Sequence, residues 1–292
     1  MNRIMVTGGS GFLGGHLLRA LAERGWPVAV LGRRAIPGIR HFAIEGGVPA
    51  MTAALAEWKP DVVVHLASLF LAQHRPEDVD RLVEANVALG ARLLEAMRQT
   101  GTRRLVSAGT MWQHHHDAPY APVNLYAATK QAFEDLCRHY VQAHDMAAWH
   151  LHLTDTVGAD DPRPKLFRLL DEARRSGTTL DMSPGEQRLD LLDARDAAAG
   201  FLHAAASALA EGPGERLYAL RHREQWTLRE VVECYRRHAG GPTVAFGARP
   251  YRPREIMVPP TFPPTLPGWS PQVSVETAIR TVALAHASAA SR

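Results

Sequence analysis

The chain has 292 residues, 46% of them hydrophobic and 22% charged, with a formal net charge of +3. That length can bury a full core, as one large domain or two closely joined ones, and scattered arginines without a Lys/Arg block argue against a nucleic-acid-binding arm. Two distant cysteines, Cys137 and Cys234, set neither a disulfide framework nor a zinc spacing, and no apolar run approaches membrane-spanning length.

Arg3 to Val6 reads as a short buried strand, and Leu17, Leu18, Leu21 and Ala22 recur beyond it at helical spacing. Between them stands Val6-Thr7-Gly8-Gly9-Ser10-Gly11-Phe12-Leu13-Gly14. A strand, a glycine turn and a helix make a phosphate cradle. The glycines let the backbone approach a pyrophosphate, and the helix N-terminus offers free N–H groups. With the strand starting at once, no signal peptide is expected, and a cytoplasmic enzyme is.

Residues 27–32 read as the second strand, ending in Gly32-Arg33-Arg34. In dinucleotide folds this strand end faces the adenosine ribose, where a carboxylate selects NAD and arginine accommodates the 2′-phosphate of NADP. No Asp or Glu stands at residues 28–36, so NADP(H) is expected. Residues 41–45 suggest a third strand and 50–58 a helix. Asp61 to Ser68 is a buried strand, whose Leu66-Ala67-Ser68 end would pass beneath the cofactor. His65, inside this apolar run, reads as a core histidine.

Residues 78–100 form one long amphipathic helix, its apolar face interrupted by Asn86, which needs a polar partner. Residues 103–108 are the fifth strand, with Gly109 and Thr110 at the carboxyl end, the ligand side of an open α/β sheet. His114, His115 and His116 are adjacent and point different ways. They read as loop residues, and no metal site is expected. Tyr126 and Lys130 lie four apart on the next helix, and an ammonium one turn away should lower the pKa of the phenol.

Residues 148–153 are the sixth strand, followed by Thr154, Asp155 and Thr156, again on the ligand side. Asp160-Asp161-Pro162-Arg163-Pro164-Lys165 is rich in turn residues. Further on come a helix at 166–175, a return segment at 190–193, a helix at 195–210 and a strand at 215–220. A helix at 227–239 is capped by Thr227 with Glu230 three residues later. The proline-rich run 248–271 carries Tyr251, Phe262, Leu266 and Trp269 as anchors, so it reads as an ordered substrate flap. Arg249, Arg252 and Arg254 within it suit a diphosphate. Residues 273–287 read as a final helix.

These motifs resemble the extended short-chain dehydrogenase/reductases, the family of nucleotide-sugar epimerases, dehydratases and reductases. The likeness rests on Thr7 to Gly14, His65-Leu66-Ala67, Asn86, Thr110, Tyr126 with Lys130, and Leu189-Asp190-Leu191. Gly109 to Gln113, Pro122 to Lys130, Pro250 to Glu255 and Leu266 to Trp269 are similar to the reductases of the CDP-abequose and paratose synthase type. The resemblance implies a Rossmann-type doubly wound parallel sheet in residues 1–155, with a return segment at 189–210. Residues 156–188 and 211–292 would form a smaller substrate-binding subdomain. It also implies a homodimer through the helices at 78–100 and 124–145.

The implied activity is NADPH-dependent reduction of the 4-keto group of a nucleotide-linked 4-keto-6-deoxy or 3,6-dideoxy sugar. Tyr126 would be the general acid, Lys130 would bind the nicotinamide ribose, Thr110 would hold the reacting oxygen, and Asn86 would serve structure and proton relay. Gly8, Gly9, Ser10, Gly11, Phe12, Leu13, Gly14, Arg33, Arg34, Leu66, Ala67 and Ser68 would contact cofactor. Trp112, Gln113, Asp155, Lys165, Arg188, Arg249 and Arg252 would contact the nucleotide-diphosphate sugar. The rival readings are an epimerase with tightly bound NAD, a dehydratase, and a non-catalytic NADP sensor. A dehydratase would carry an acidic pair where Met111 and Trp112 stand, and a sensor tends to lose the Tyr/Lys pair kept here. The chain departs from the family at strand six, where His152 and Thr154 occupy the region of the usual arginine, and at Leu189, where an arginine often precedes the aspartate.

Overall fold

A computed structural model describes residues 2–289. Six strands come first: β1 (Ile4–Thr7), β2 (Val28–Gly32), β3 (Arg40–Ala43), β4 (Val62–His65), β5 (Arg104–Thr110) and β6 (Ala147–Leu153). Four short ones follow: β7 (Asp155–Val157), β8 (Leu180–Met182), β9 (Arg188–Leu189) and β10 (Leu191–Asp193). The last three are β11 (Gly214–Leu220), β12 (Trp226–Thr227) and β13 (Val244–Phe246). The helices are α1 (Phe12–Glu23), α2 (Gly47–Trp58), α3 (Val79–Val83), α4 (Leu89–Thr100), α5 (Leu125–His144), α6 (Leu166–Ser176), α7 (Ala194–Ala210), α8 (Leu228–Ala239) and α9 (Val275–Ala289).

Seven strands form one sheet in the order β11-β6-β5-β4-β1-β2-β3, and every pairing in it is parallel. A parallel sheet needs cover on both faces, which is why its strands are runs such as Val62-Val63-Val64 with every residue buried. On one face Leu17, Leu21, Ala197 and Phe201 of α1 and α7 pack on Val6, Val64 and Val106. On the other, Met51, Leu55, Leu93, Met97 and Phe133 of α2, α4 and α5 pack on Met5, Val63 and Leu105. The chain is thus a Rossmann-like α/β fold. Residues 214–220, grouped with the smaller part on sequence grounds, instead extend this sheet beside β6.

A third cluster joins Val157, Phe167, Leu170, Val231, Tyr235, Ile279 and Val282 from α6, α8, α9 and the short strands. Around it the pairs β7–β10, β9–β12 and β8–β13 stand beyond the carboxyl ends of the main sheet. Residues 190–193 pair with β7, so the return segment arrives at this small sheet before α7 packs beside α1.

Two local features position the site. The region expected as one helix over 78–100 is three pieces, with a π-helical segment at Glu84–Ala88 between α3 and α4. The segment surrounds Asn86, and such bulges re-aim a side chain out of the helical register. The second is the start of α5. The Asn124 side chain accepts from Ala127 N at 2.9 Å and donates to the Ala72 carbonyl, fixing the turn that carries Tyr126.

Candidate active site

A cleft of about 390 Å³ opens at the carboxyl ends of β1, β4, β5 and β6. Its floor is the glycine turn. Gly8 takes φ +73°, a conformation that costs glycine little. A Cβ on Gly14 would lie 2.1 Å from the Gly8 carbonyl oxygen, so only glycine lets helix and turn close together. Gly11 caps α1 without a side-chain bond, and the first turn has no acidic residue, so the free N–H groups of the helix face the cleft. These features fit a dinucleotide pyrophosphate. Gly8, Gly11, Phe12, Leu13, Gly14, Leu66 and Ser68 line the cleft. Gly9, Ser10 and Ala67 are not among its lining residues, and Arg33 and Arg34 are exposed beyond the end of β2.

Thr110, Tyr126 and Lys130 line the same cleft. Thr110 caps the turn that follows β5: its hydroxyl oxygen accepts from Trp112 N at 3.3 Å, which leaves its own hydrogen to donate. Tyr126 packs edge-on against Phe70 at 5.1 Å, and Phe70 also meets Trp112 at 5.6 Å. The electrostatics differ from the sequence expectation. Burial pushes the Tyr126 phenol up to about 12, against smaller opposing effects of the Ser68 hydroxyl and the Arg163 guanidinium. Burial also pulls the Lys130 ammonium down to about 8, opposed by Glu134. Lys130, expected to lower the phenol, is not among the groups that shift it, and desolvation sets the sign.

Asn86 does not line the cleft and is 2% exposed. Its Oδ1 accepts from Ser68 Oγ and Leu69 N, and its Nδ2 donates to the Leu69 carbonyl and Thr129 Oγ1. It ties the segment after β4 to α5, one residue from Lys130. His65 is a satisfied core histidine, its Nδ1 2.7 Å from Thr7 Oγ1, and burial next to Lys130 lowers its pKa to about 3.

A second pocket of about 350 Å³ adjoins the cleft. Trp112, Asp155, Lys165, Arg249 and Arg252 line it. Lys165 sits 4.9 Å over the Phe70 ring and 3.4 Å from Asp155. Arg252 stands over Trp112 and holds Glu255 with two bonds of 2.9 and 3.0 Å. Two expected contacts fall elsewhere. Gln113 is fully buried, because its amide is spent on Thr110 N, Gln131 and Glu134. Arg188 is exposed on β9, where the strand turns its side chain away from the pocket lining. Arg163 was missed. It bonds Asp161 and Thr156 and lies 4.8 Å over Phe12 at the cleft mouth. Its signal is the Asp160 to Lys165 run, rich in turn residues and basic in part, of which only Lys165 is expected at the substrate.

Residues 4–218 match the model of the NAD dependent epimerase/dehydratase family. The chain belongs to that family. Among its relatives is a CDP-abequose synthase of Yersinia pseudotuberculosis, 26% identical over 263 residues that cover 88% of this chain and 91% of the relative. Another is a dTDP-6-deoxy-L-talose 4-dehydrogenase (NAD(P)(+)) of Kitasatospora kifunensis, 31% identical over 226 residues, 70% of each chain. The solved structure of a UDP-glucose 4-epimerase of Thermus thermophilus in complex with NAD superposes with a TM-score of 0.81. It is 27% identical, covering 97% of this chain and 98% of the epimerase. Among the described residues no helix is long and apolar enough to cross a membrane.

Proposed function

We propose that this family member is an NADPH-dependent reductase of the 4-keto group of a nucleotide-linked 4-keto-6-deoxy or 3,6-dideoxy sugar. The observation that carries the reading is the meeting of Thr110, Tyr126 and Lys130 in the cleft whose floor is the glycine turn. With its phenol at about 12, Tyr126 holds its proton at neutral pH, and the alkoxide formed by reducing a ketone needs that proton. A reduced nicotinamide, when bound, supplies the hydride. The chain does the rest. Tyr126 gives its proton to the substrate oxygen, and the free Thr110 hydrogen bonds the same oxygen as its charge grows. Lys130 adds positive charge on the helix below. Trp112 and Phe70 exclude water, and Lys165, Arg249 and Arg252 offer cations to a diphosphate.

The CDP-abequose synthase and the dTDP-6-deoxy-L-talose 4-dehydrogenase among the relatives support a nucleotide-sugar substrate. Arg33 and Arg34, with no Asp or Glu at residues 28–36, support NADPH over NADH. A homodimer belongs to this proposal by family resemblance, and a cytoplasmic location by the two distant free cysteines, which fit a reducing compartment. The second reading is an epimerase that returns its cofactor unchanged, favoured by the likeness to the Thermus epimerase.

The test is NADPH oxidation against CDP-, dTDP-, GDP- and UDP-linked 4-keto-6-deoxysugars, with NADH in parallel. Rapid oxidation with one of them establishes the reductase and names its nucleotide. A changed sugar with the cofactor recovered intact establishes the epimerase instead. Tyr126→Phe should lose roughly 10²–10⁴-fold in turnover while binding cofactor as before. Retained turnover in that variant overturns the assignment of the acid.

A further inference from the structure

Behind Thr110 and Lys130 lies a chain of buried polar groups that the proposed chemistry does not use. His114, on the loop after β5, is 1% exposed; His152 on β6 is 0% and Glu134 on α5 is 4% exposed. His114 Nε2 is 2.7 Å from His152 Nδ1, and His152 Nε2 is 2.7 Å from Glu134 Oε1. At the far end, His114 Nδ1 faces two carbonyl oxygens, Ala118 O at 3.1 Å and Pro119 O at 3.0 Å.

Donors and acceptors along this chain fix its protons. The two carbonyls only accept, so His114 Nδ1 carries a hydrogen. Burial and the neighbouring His152 hold the His114 pKa down to about 4, so at neutral pH its Nε2 is bare and accepts from His152 Nδ1–H. Glu134 is held at about 2, its burial outweighed by His152, His150 and Gln113, so its carboxylate only accepts. Both ring nitrogens of His152 therefore face acceptors, Nδ1 towards His114 Nε2 and Nε2 towards Glu134 Oε1.

The pair is connected to the centre on both sides. Glu134 lies one helical turn beyond Lys130 on α5. Its Oε1 also accepts from Gln113 Nε2 at 3.0 Å, and Gln113 Oε1 accepts from Thr110 N at 3.0 Å. Gly109 shows how closely the pair is packed under β5. A Cβ there would fall 2.2 Å from the His152 ring and 2.9 Å from Glu134 Oε1. Other ionisable groups face the pair or Lys130: Cys137 and Arg138 on α5, His150 on β6, Glu215 on β11 and His65 on β4.

We propose that His152 and Glu134 form a buried imidazolium–carboxylate pair that positions the centre, with Glu134 holding Lys130 as an ammonium and, through Gln113, fixing the backbone of Thr110. The inference rests on the reading of Thr110, Tyr126 and Lys130 as the proton-donating centre. His152 and Glu134 touch neither cleft nor pocket and act as positioning residues.

The first test needs no substrate. Nitrogen-15 NMR of the histidine-labelled wild-type protein at pH 7 should show one buried ring with both nitrogens protonated, and that signal should vanish in His152→Gln. A wild-type spectrum with every buried ring singly protonated overturns the ion pair. The second test is the pH profile of turnover in Glu134→Gln, with melting temperature and NADPH affinity measured alongside. Without the carboxylate, Lys130 loses the charge that opposes its downward shift, so the alkaline limb should move to lower pH by about one unit, with turnover falling roughly fivefold at pH 8. His152→Gln keeps a donor to Glu134 but removes the charge that opposes its burial, so the limb should move in the same direction. An unmoved limb in Glu134→Gln, with only a lower melting temperature, overturns the positioning role. Should wild type and Tyr126→Phe prove equally inactive on every nucleotide sugar, the reading of the centre fails, and the positioning role with it. The NMR result still decides the pair.

Discussion

A buried carboxyl with one bare oxygen is costly in its charged form, and Asp190 is such a group. It is 3% exposed; its Oδ1 accepts from His222 N at 2.8 Å, while its Oδ2 has no partner among the described residues. Burial raises its pKa from 3.8 to about 7, against the opposing effects of the His222 backbone and Arg221. The fold therefore prefers the neutral acid. Its contribution to stability is present in full below the unfolded pKa near 4 and is lost as pH rises from there to about 7. Asn at this position mimics the neutral form and keeps the Oδ1 acceptor. Asp190→Asn should melt with wild type near pH 4 and higher at pH 8, by about 2–4 °C for each kcal/mol recovered. Thermal melts at the two pH values check it; a variant less stable at pH 8 would show the carboxylate to be needed charged. Tyr126 shows the same physics in the site. Spacing showed a Lys130 partner one turn away, but the sign of the phenol shift is decided by burial, which spacing does not encode.

Elements defined by local chemistry were legible in the sequence. The capping box of α8 stands as expected, with Glu230 N donating to Thr227 Oγ1 at 3.2 Å and Glu230 Oε2 accepting from Thr227 N at 2.7 Å. The strands of the main sheet follow from apolar runs buried on both faces. The π-helical segment around Asn86 was not legible, because its cause is tertiary: four hydrogen bonds to the Ser68–Leu69 segment and Thr129 pull the side chain off the helical register. The glycine turn gives the sharpest test at this scale. Gly14 and Gly15 are neighbours on α1, yet a Cβ on Gly14 meets the Gly8 carbonyl at 2.1 Å and one on Gly15 meets nothing within 4 Å. Gly14→Ala should raise the NADPH dissociation constant at least tenfold, estimated from the loss of one or two backbone bonds to the diphosphate. Gly15→Ala should leave it unchanged and slightly stabilise the helix. Fluorescence titration of both variants distinguishes a displaced turn from a general effect of alanine in this helix.

At the scale of the whole molecule, the cofactor turn and the Tyr126/Lys130 pair were legible in the sequence. Contacts that depend on how distant segments meet were not. Gln113 is expected as a substrate contact by the family resemblance, and it points inward because Glu134 and Thr110 N claim its amide. The three adjacent histidines were read as a loop; one of them, His114, is core because His152 arrives beneath it from β6. The proline-rich run is the clearest case. Its ordering comes from outside it: Arg221 bonds the Pro260 carbonyl, Leu266 N bonds Ala219 on β11, and the Phe262 ring lies edge-on to His114 at 5.0 Å. The most concentrated tie is Asp117, whose carboxylate accepts from Thr261 N at 2.7 Å, Thr261 Oγ1 at 2.6 Å and Phe262 N at 2.8 Å. These bonds hold its pKa below the usual carboxylate range, so the tie is present at neutral pH and weakens only in acid. The run so anchored carries Arg249 and Arg252 into the pocket. Asp117→Ala removes three charge-assisted bonds from an exposed position distant from the cofactor turn. The nucleotide-sugar KM should rise about five- to twentyfold, equivalent to roughly 1–2 kcal/mol of lost ordering, with kcat and NADPH affinity within a factor of two of wild type. Steady-state kinetics with each ligand varied in turn measures all three. A fall in kcat with KM unchanged would place the effect of this tie on Thr110 and the loop before it, and remove the proline-rich run from substrate binding.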